Sequence, residues 1–62
     1  MTYAEAIKEL RQRMLVTQQE LADMLGVSFA TVNRWENGHN EPTMKTKRII
    51  AMLCDKRHID LR

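Results

Sequence analysis

The chain has 62 residues, a formal net charge of +2 and one cysteine. That length allows one domain, 1–62, with a stability of only ~3–5 kcal/mol unless a staple holds it. Cys54 alone excludes an internal disulfide, its two histidines add too few ligands for structural zinc, and no apolar run approaches the ~20 residues of a membrane span.

The N-terminus, with Glu5 and Glu9 and no long apolar stretch, is not a signal peptide, and Met1 reads as a native start. A lone cysteine fits a reducing cytoplasm. Glycine is scarce, Pro42 is the only proline, and β-branched residues never alternate with polar ones over a usable length. All readable periodicity is helical.

A first helix is expected from about Tyr3 to Met14. Thr2 and Glu5 form a capping box, and Tyr3, Ile7, Leu10 and Met14 make one apolar stripe. Leu15 and Val16 link it to a second helix, Gln18 to Leu25, capped by Thr17 with Glu20. That helix buries Leu21, Ala22 and Leu25, and Ala22 is small enough for the next helix to cross closely. Gly26 supplies the positive φ that ends it, and Val27 plugs the turn. Ser28 caps a third helix, Phe29 to about Asn37. Phe29, Ala30, Asn33, Arg34 and Asn37 share one face of it, and Val32, Trp35 and Glu36 point the other way. The outward face has no core to serve, so Phe29 and Arg34 read as functional, whereas Trp35 reads as core. Two helices joined by so short a turn form a helix-turn-helix, whose second helix enters the DNA major groove.

Beyond Gly38, the segment from His39 to Pro42 reads as a loop, and Thr43 caps a fourth helix to about Cys54. Ile49, Ile50 and Leu53 form its expected core stripe, with Met44 near the start. Ile59 and Leu61 are apolar residues beyond what that helix needs, placed in one more helical turn. The five methionines read as core fillers, and Cys54 and His58 as inert. Lys45, Lys47, Arg48, Lys56, Arg57 and Arg62 face only Asp55 and Asp60 in this last third, so the rest of the chain is net negative. A phosphate-facing end and a solvated helix surface both fit that asymmetry.

Gln18, Glu20-Leu21-Ala22, Leu25-Gly26-Val27-Ser28, Thr31-Val32, Arg34-Trp35-Glu36 and Asn37-Gly38 with Pro42 resemble the phage-repressor and Cro type of helix-turn-helix, the Xre family. The resemblance implies an all-α, lambda-repressor-like bundle of four to five short helices, most often a dimeric transcriptional regulator that reads bases with its third helix. Carried over, it makes Phe29, Ala30, Asn33 and Arg34 base contacts, with a phosphate as the other partner open to Asn33. The first two suit a thymine methyl and Arg34 suits a guanine. It makes Gln18, Thr31 and Asn37 phosphate contacts, Gln18 lying at a helix N-terminus suited to anions. For Lys45 and Arg48, near the same edge, phosphate contact and a solvated surface both stand. Arg11 and Glu36 match a buried, structural ion pair between the first and third helices.

The expected function is therefore sequence-specific binding of double-stranded DNA as a transcriptional regulator, in the cytoplasm of a bacterium or encoded by its phage, associated with the nucleoid. No catalytic constellation, cofactor motif or metal site is visible, so the chain reads as no enzyme. After the fourth helix the family's usual dimerising helix is replaced by the segment from Asp55 to Arg62. A weak homodimer, formed mainly on DNA or through a fused or missing C-terminal region, is expected. Two other readings stand beside this one. One is the DNA-targeting N-terminal module of a larger enzyme, such as a modification methyltransferase or a transposase. The other is an antitoxin-like module with Phe29 as a protein hot spot.

Overall fold

The computed structural model describes residues 2–59, which form four helices: α1 (Tyr3–Met14), α2 (Gln18–Leu25), α3 (Phe29–Glu36) and α4 (Met44–Lys56). Both expected capping boxes are present. The Thr2 and Thr17 hydroxyls accept from the N–H groups of Glu5 and Glu20, whose carboxylates accept from the cap N–H groups in return. Ser28 and Thr43 cap α3 and α4 through the N–H groups of Thr31 and Thr46. Eight-residue helices such as α2 and α3 are marginal in water alone, so these caps and their burial in the bundle hold them.

All four helices end in the same way. A main-chain N–H reaches back five residues: Val16 to Arg11, Val27 to Ala22, His39 to Arg34 and Ile59 to Cys54. This closure needs a left-handed residue just before the donor. Gly26 and Gly38 meet that need at φ 71° and 76°, but Leu15 and His58 adopt φ 58° and 56° with side chains in place. At three of these ends the donor is apolar, and Val16, Val27 and Ile59 fold back onto the core.

The core joins Ile7 and Leu10 of α1, Leu21 and Ala22 of α2, Val32 and Trp35 of α3, and Ile50 and Cys54 of α4. α3 packs against both α1 and α2, and α4 lies on α1. Arg13, in the last turn of α1, donates to the carbonyl of Arg57 at the end of α4 at 2.9 Å. Burial pushes the Cys54 thiol above its ordinary pKa, so it stays protonated.

The fourth helix departs from its expected stripe. Ile49 and Met44 are exposed rather than core, and Cys54 takes the interior place. Ile50 and Cys54 lie four apart on one line, with Leu53 beside them, and Ile49 is rotated about 100° off Ile50. Ile59, expected to be spare and helical, is 6% exposed and seals the end of α4 in an irregular segment. Leu61, expected to join it, lies outside the described residues. Among those residues no helix is long and apolar enough to cross a membrane.

Leu15 is 90% exposed, so its side chain gives little in return for the strained backbone. Left-handed geometry costs a residue with a Cβ about 1–2 kcal/mol, and glycine gives back about half of that relief as chain entropy. Leu15→Gly is expected to stabilise the domain by about 0.5–1 kcal/mol, a rise of a few degrees in Tm. Thermal denaturation checks it, and an unchanged or lower Tm would place Leu15 outside the left-handed region in solution.

Candidate nucleic-acid interface

The site is built around Glu36, on the inner face of α3. Its side chain is 3% exposed, and a carboxylate so buried needs donors on its lone pairs. Three are supplied. Arg11 Nε donates to Oε2 at 2.8 Å and Arg11 Nη2 to Oε1 at 3.0 Å, a two-pronged ion pair joining α1 to α3. Gln18 Nε2 donates to Oε1 at 3.1 Å, which brings in the first turn of α2. The hydrogen bond to Glu36 raises the Arg11 pKa further, so the guanidinium stays charged. The expected ion pair is thus present, and Arg11 is committed within the fold.

The same Gln18 nitrogen lies 3.4 Å from Asn33 Oδ1, a longer contact that reaches the outer face of α3. The sequence reading did not anticipate this chain of contacts from Arg11 to Asn33. Its trace was the spacing of three between Asn33 and Glu36, which makes them neighbours on a helix.

Phe29, Ala30, Arg34 and Asn37 are exposed, and Asn33 is half-buried beside them. Phe29 is 47% exposed, while Val32, Trp35 and Glu36 on the opposite side are 0–4% exposed. The outward and inward faces therefore separate as the wheel predicts. Thr31 is half-buried, and its hydroxyl lies 2.8 Å from that of Ser28 at the cap. Asn37 is the C-cap of α3. Lys45 and Arg48 are exposed on α4.

At the start of α2, the N–H groups of Thr17, Glu20 and Leu21 are used within the cap and first turn. Those of Gln18 and Glu20's other neighbour, Gln19, belong to the set a helix leaves without an internal acceptor. The Gln18 side-chain nitrogen, by contrast, is turned toward Glu36 and Asn33.

Elsewhere, Lys47 pairs with Glu41 at 2.8 Å and sits 4.9 Å above the Tyr3 ring, pinning the loop after α3 onto α1. Thr2, Tyr3, Trp35 and Asn40 line a shallow open groove there. Among the described residues no three His, Cys, Asp or Glu side chains are grouped to hold a metal ion.

Comparison with known proteins adds to this geometry. A family model described as helix-turn-helix matches residues 7–61. The chain is 40% identical over 45 residues to the HTH-type transcriptional regulator DicA of Escherichia coli, covering 73% of this chain and 33% of DicA. It is 34% identical over 53 residues to the uncharacterized HTH-type transcriptional regulator YqaE of Bacillus subtilis, covering 86% of this chain and 46% of that protein. It is also 49% identical over 43 residues to the type II methyltransferase M.SsoII of Shigella sonnei, covering 64% of this chain but 11% of the enzyme. The chain thus spans less than half the length of each of these relatives. No solved structure matches it significantly.

The two ends of the ion pair differ in burial, Arg11 being 23% exposed and Glu36 3%. Arg11→Ala strands a carboxylate in the core and is expected to cost ~3–5 kcal/mol, about the whole stability of a domain this size. Glu36→Ala lets Arg11 turn to water and is expected to cost less. The double variant should lose at least ~1 kcal/mol less than the two single losses added together. Chemical denaturation of the three variants checks this, and additive losses would show that the pair does not interact.

Proposed function

The chain belongs to the Xre-type helix-turn-helix family, and on that premise we propose that it binds duplex DNA sequence-specifically as a transcriptional regulator, with α3 in the major groove. One observation carries the reading. α3 exposes Phe29, Ala30 and Arg34 while its opposite face fills the core. An aromatic left 47% exposed at a helix start gives the fold less than a buried one would. In the groove, Phe29 and Ala30 meet a thymine methyl, and Arg34 forks onto the O6 and N7 of guanine. Asn33 completes the base-reading set.

Phosphates fix the register around these contacts. In this reading Gln18 holds one phosphate through its main-chain N–H at the positive end of α2, because its side chain is turned inward. Thr31 and Asn37 flank the recognition helix and take further phosphates. Lys45 and Arg48 add two charges from α4, and they set part of the salt dependence. A single recognition helix reads only a few base pairs, so a homodimer assembled on DNA, or a fused partner, supplies the remaining specificity. The reading assigns no catalytic step to this chain.

The match to M.SsoII favours a second reading, in which the same fold targets a larger DNA-modifying enzyme to its site. Sequencing beyond the codon for Arg62 separates the two. A reading frame that continues into a methyltransferase domain selects the second.

Arg34→Ala is expected to cost about 1–3 kcal/mol on the best site and to relax the preference at one base position. Non-specific binding should weaken much less. Competition binding against variant duplexes checks this. Equal weakening on all sequences would make Arg34 a phosphate contact.

A further inference from the structure

We propose that Gln18 is a positioning residue that locks the Asn33 amide with its NH2 group toward DNA, so that Asn33 selects a base edge made of acceptors, guanine first, rather than adenine. This rests on the reading of α3 as the base-reading helix.

A chain of hydrogen bonds carries this orientation outward, its direction set at the buried end. A carboxylate bound by a guanidinium can only accept. Glu36, held by Arg11 at 2.8 and 3.0 Å, therefore requires a donor from Gln18, and its neighbour at 3.1 Å must be the amide nitrogen Nε2. That nitrogen carries two hydrogens. Glu36 takes one, which leaves the other for Asn33 Oδ1, a longer contact at 3.4 Å. A second NH2 group placed there would set donor against donor, so Asn33 turns Oδ1 inward and Nδ2 outward. The orientation of an amide on the outer face is thus dictated by a carboxylate in the core.

The consequence is a departure from the usual code. Asparagine ordinarily recognises adenine with both ends of its amide, Oδ1 accepting from N6 and Nδ2 donating to N7. Here Oδ1 is turned toward Gln18 and Nδ2 toward the groove, so the two ends of the amide do not face adenine together. The outward Nδ2 has only hydrogens to give, which suits the O6 and N7 acceptors of guanine. Thymine O4 offers one acceptor and ranks below guanine.

Gln18→Ala removes the lock but leaves Glu36 bound twice by Arg11 and leaves the Thr17–Glu20 cap intact. The Asn33 amide can then turn over at little cost, and its choice between acceptor and donor edges is lost. The experiment uses the 62-residue chain as wild type, Gln18→Ala, Asn33→Ala and the double variant. A duplex is first selected by the wild type from random DNA, and each base pair of it is then changed in turn. One position should favour guanine over adenine by about three- to tenfold, the scale of one net hydrogen bond, and Asn33→Ala should abolish that preference. Gln18→Ala should reduce the preference at that position to within about twofold and spare the preference elsewhere. The double variant should behave there as Asn33→Ala does. A purely structural role for Gln18 would weaken all positions together and would overturn the proposal. So would an Asn33-dependent preference for adenine, or a guanine preference that survives Gln18→Ala. If Asn33→Ala weakens every sequence equally, Asn33 holds a phosphate and the proposal falls while sequence-specific binding stands. If the wild type selects no sequence at all, the DNA-reading role of α3 falls with it.

Discussion

The Glu36 carboxylate accepts hydrogen bonds from two other helices, and the arrangement of the first three helices depends on it. Burying that charge is costly, and three donors from Arg11 and Gln18 offset the cost. Arg11 of α1 supplies two of the donors and so sets the seat of α3, and Gln18 adds a third from α2. An apolar contact in the same place would tolerate sliding. A set of directed bonds does not, and it fixes the rotation of α3 about its own axis. That rotation decides which residues face outward. Val32 and Trp35 go in with Glu36, and Phe29, Ala30 and Arg34 are left to solvent. The interface is in this sense the back of a structural ion pair.

A bundle 26 × 21 × 19 Å across has little interior to spend on stability, so its ends are closed carefully. Each helix starts with a Ser or Thr cap, and each finishes with the same reach-back of a main-chain N–H. The second device does two tasks. It satisfies carbonyls that a helix end leaves without partners, and it turns the chain sharply enough to return an apolar residue to the core. Val16, Val27 and Ile59 are those residues. Short connections between α1, α2 and α3 follow, and with them the crossing that exposes the start of α3.

Much of this was legible in the sequence because it rests on local chemistry. The capping boxes of Thr2 with Glu5 and Thr17 with Glu20 depend on residues three apart, and the helix starts they mark are the observed ones. The two faces of α3 follow from its period. The link between Arg11 and Glu36 is 25 residues long and came from the family resemblance, not from spacing. What stayed hidden depends on how helices meet. Ile49 and Ile50 are adjacent and equally apolar, and only the seat of α4 on α1 makes one of them core. Ile59 looked spare because its burial belongs to a helix ending that has a histidine, His58, where glycine would announce it. Leu15 hid the first such ending for the same reason. The inward turn of the Gln18 amide needs the position of Glu36, which no pattern within α2 contains.

The central claim is that the outward face of α3, aligned by the Glu36 network, is the surface that meets DNA. The most direct measurement is a titration of the isotopically labelled chain with a selected duplex, following each amide by NMR. The account predicts the largest shifts at Phe29, Ala30, Asn33, Arg34 and Asn37 and at the main-chain N–H groups of Gln18 and Gln19, with the outer face of α1 around Lys8 and Gln12 unmoved. Shifts confined to α1 or α4, with the α3 face unchanged at saturation, would contradict it.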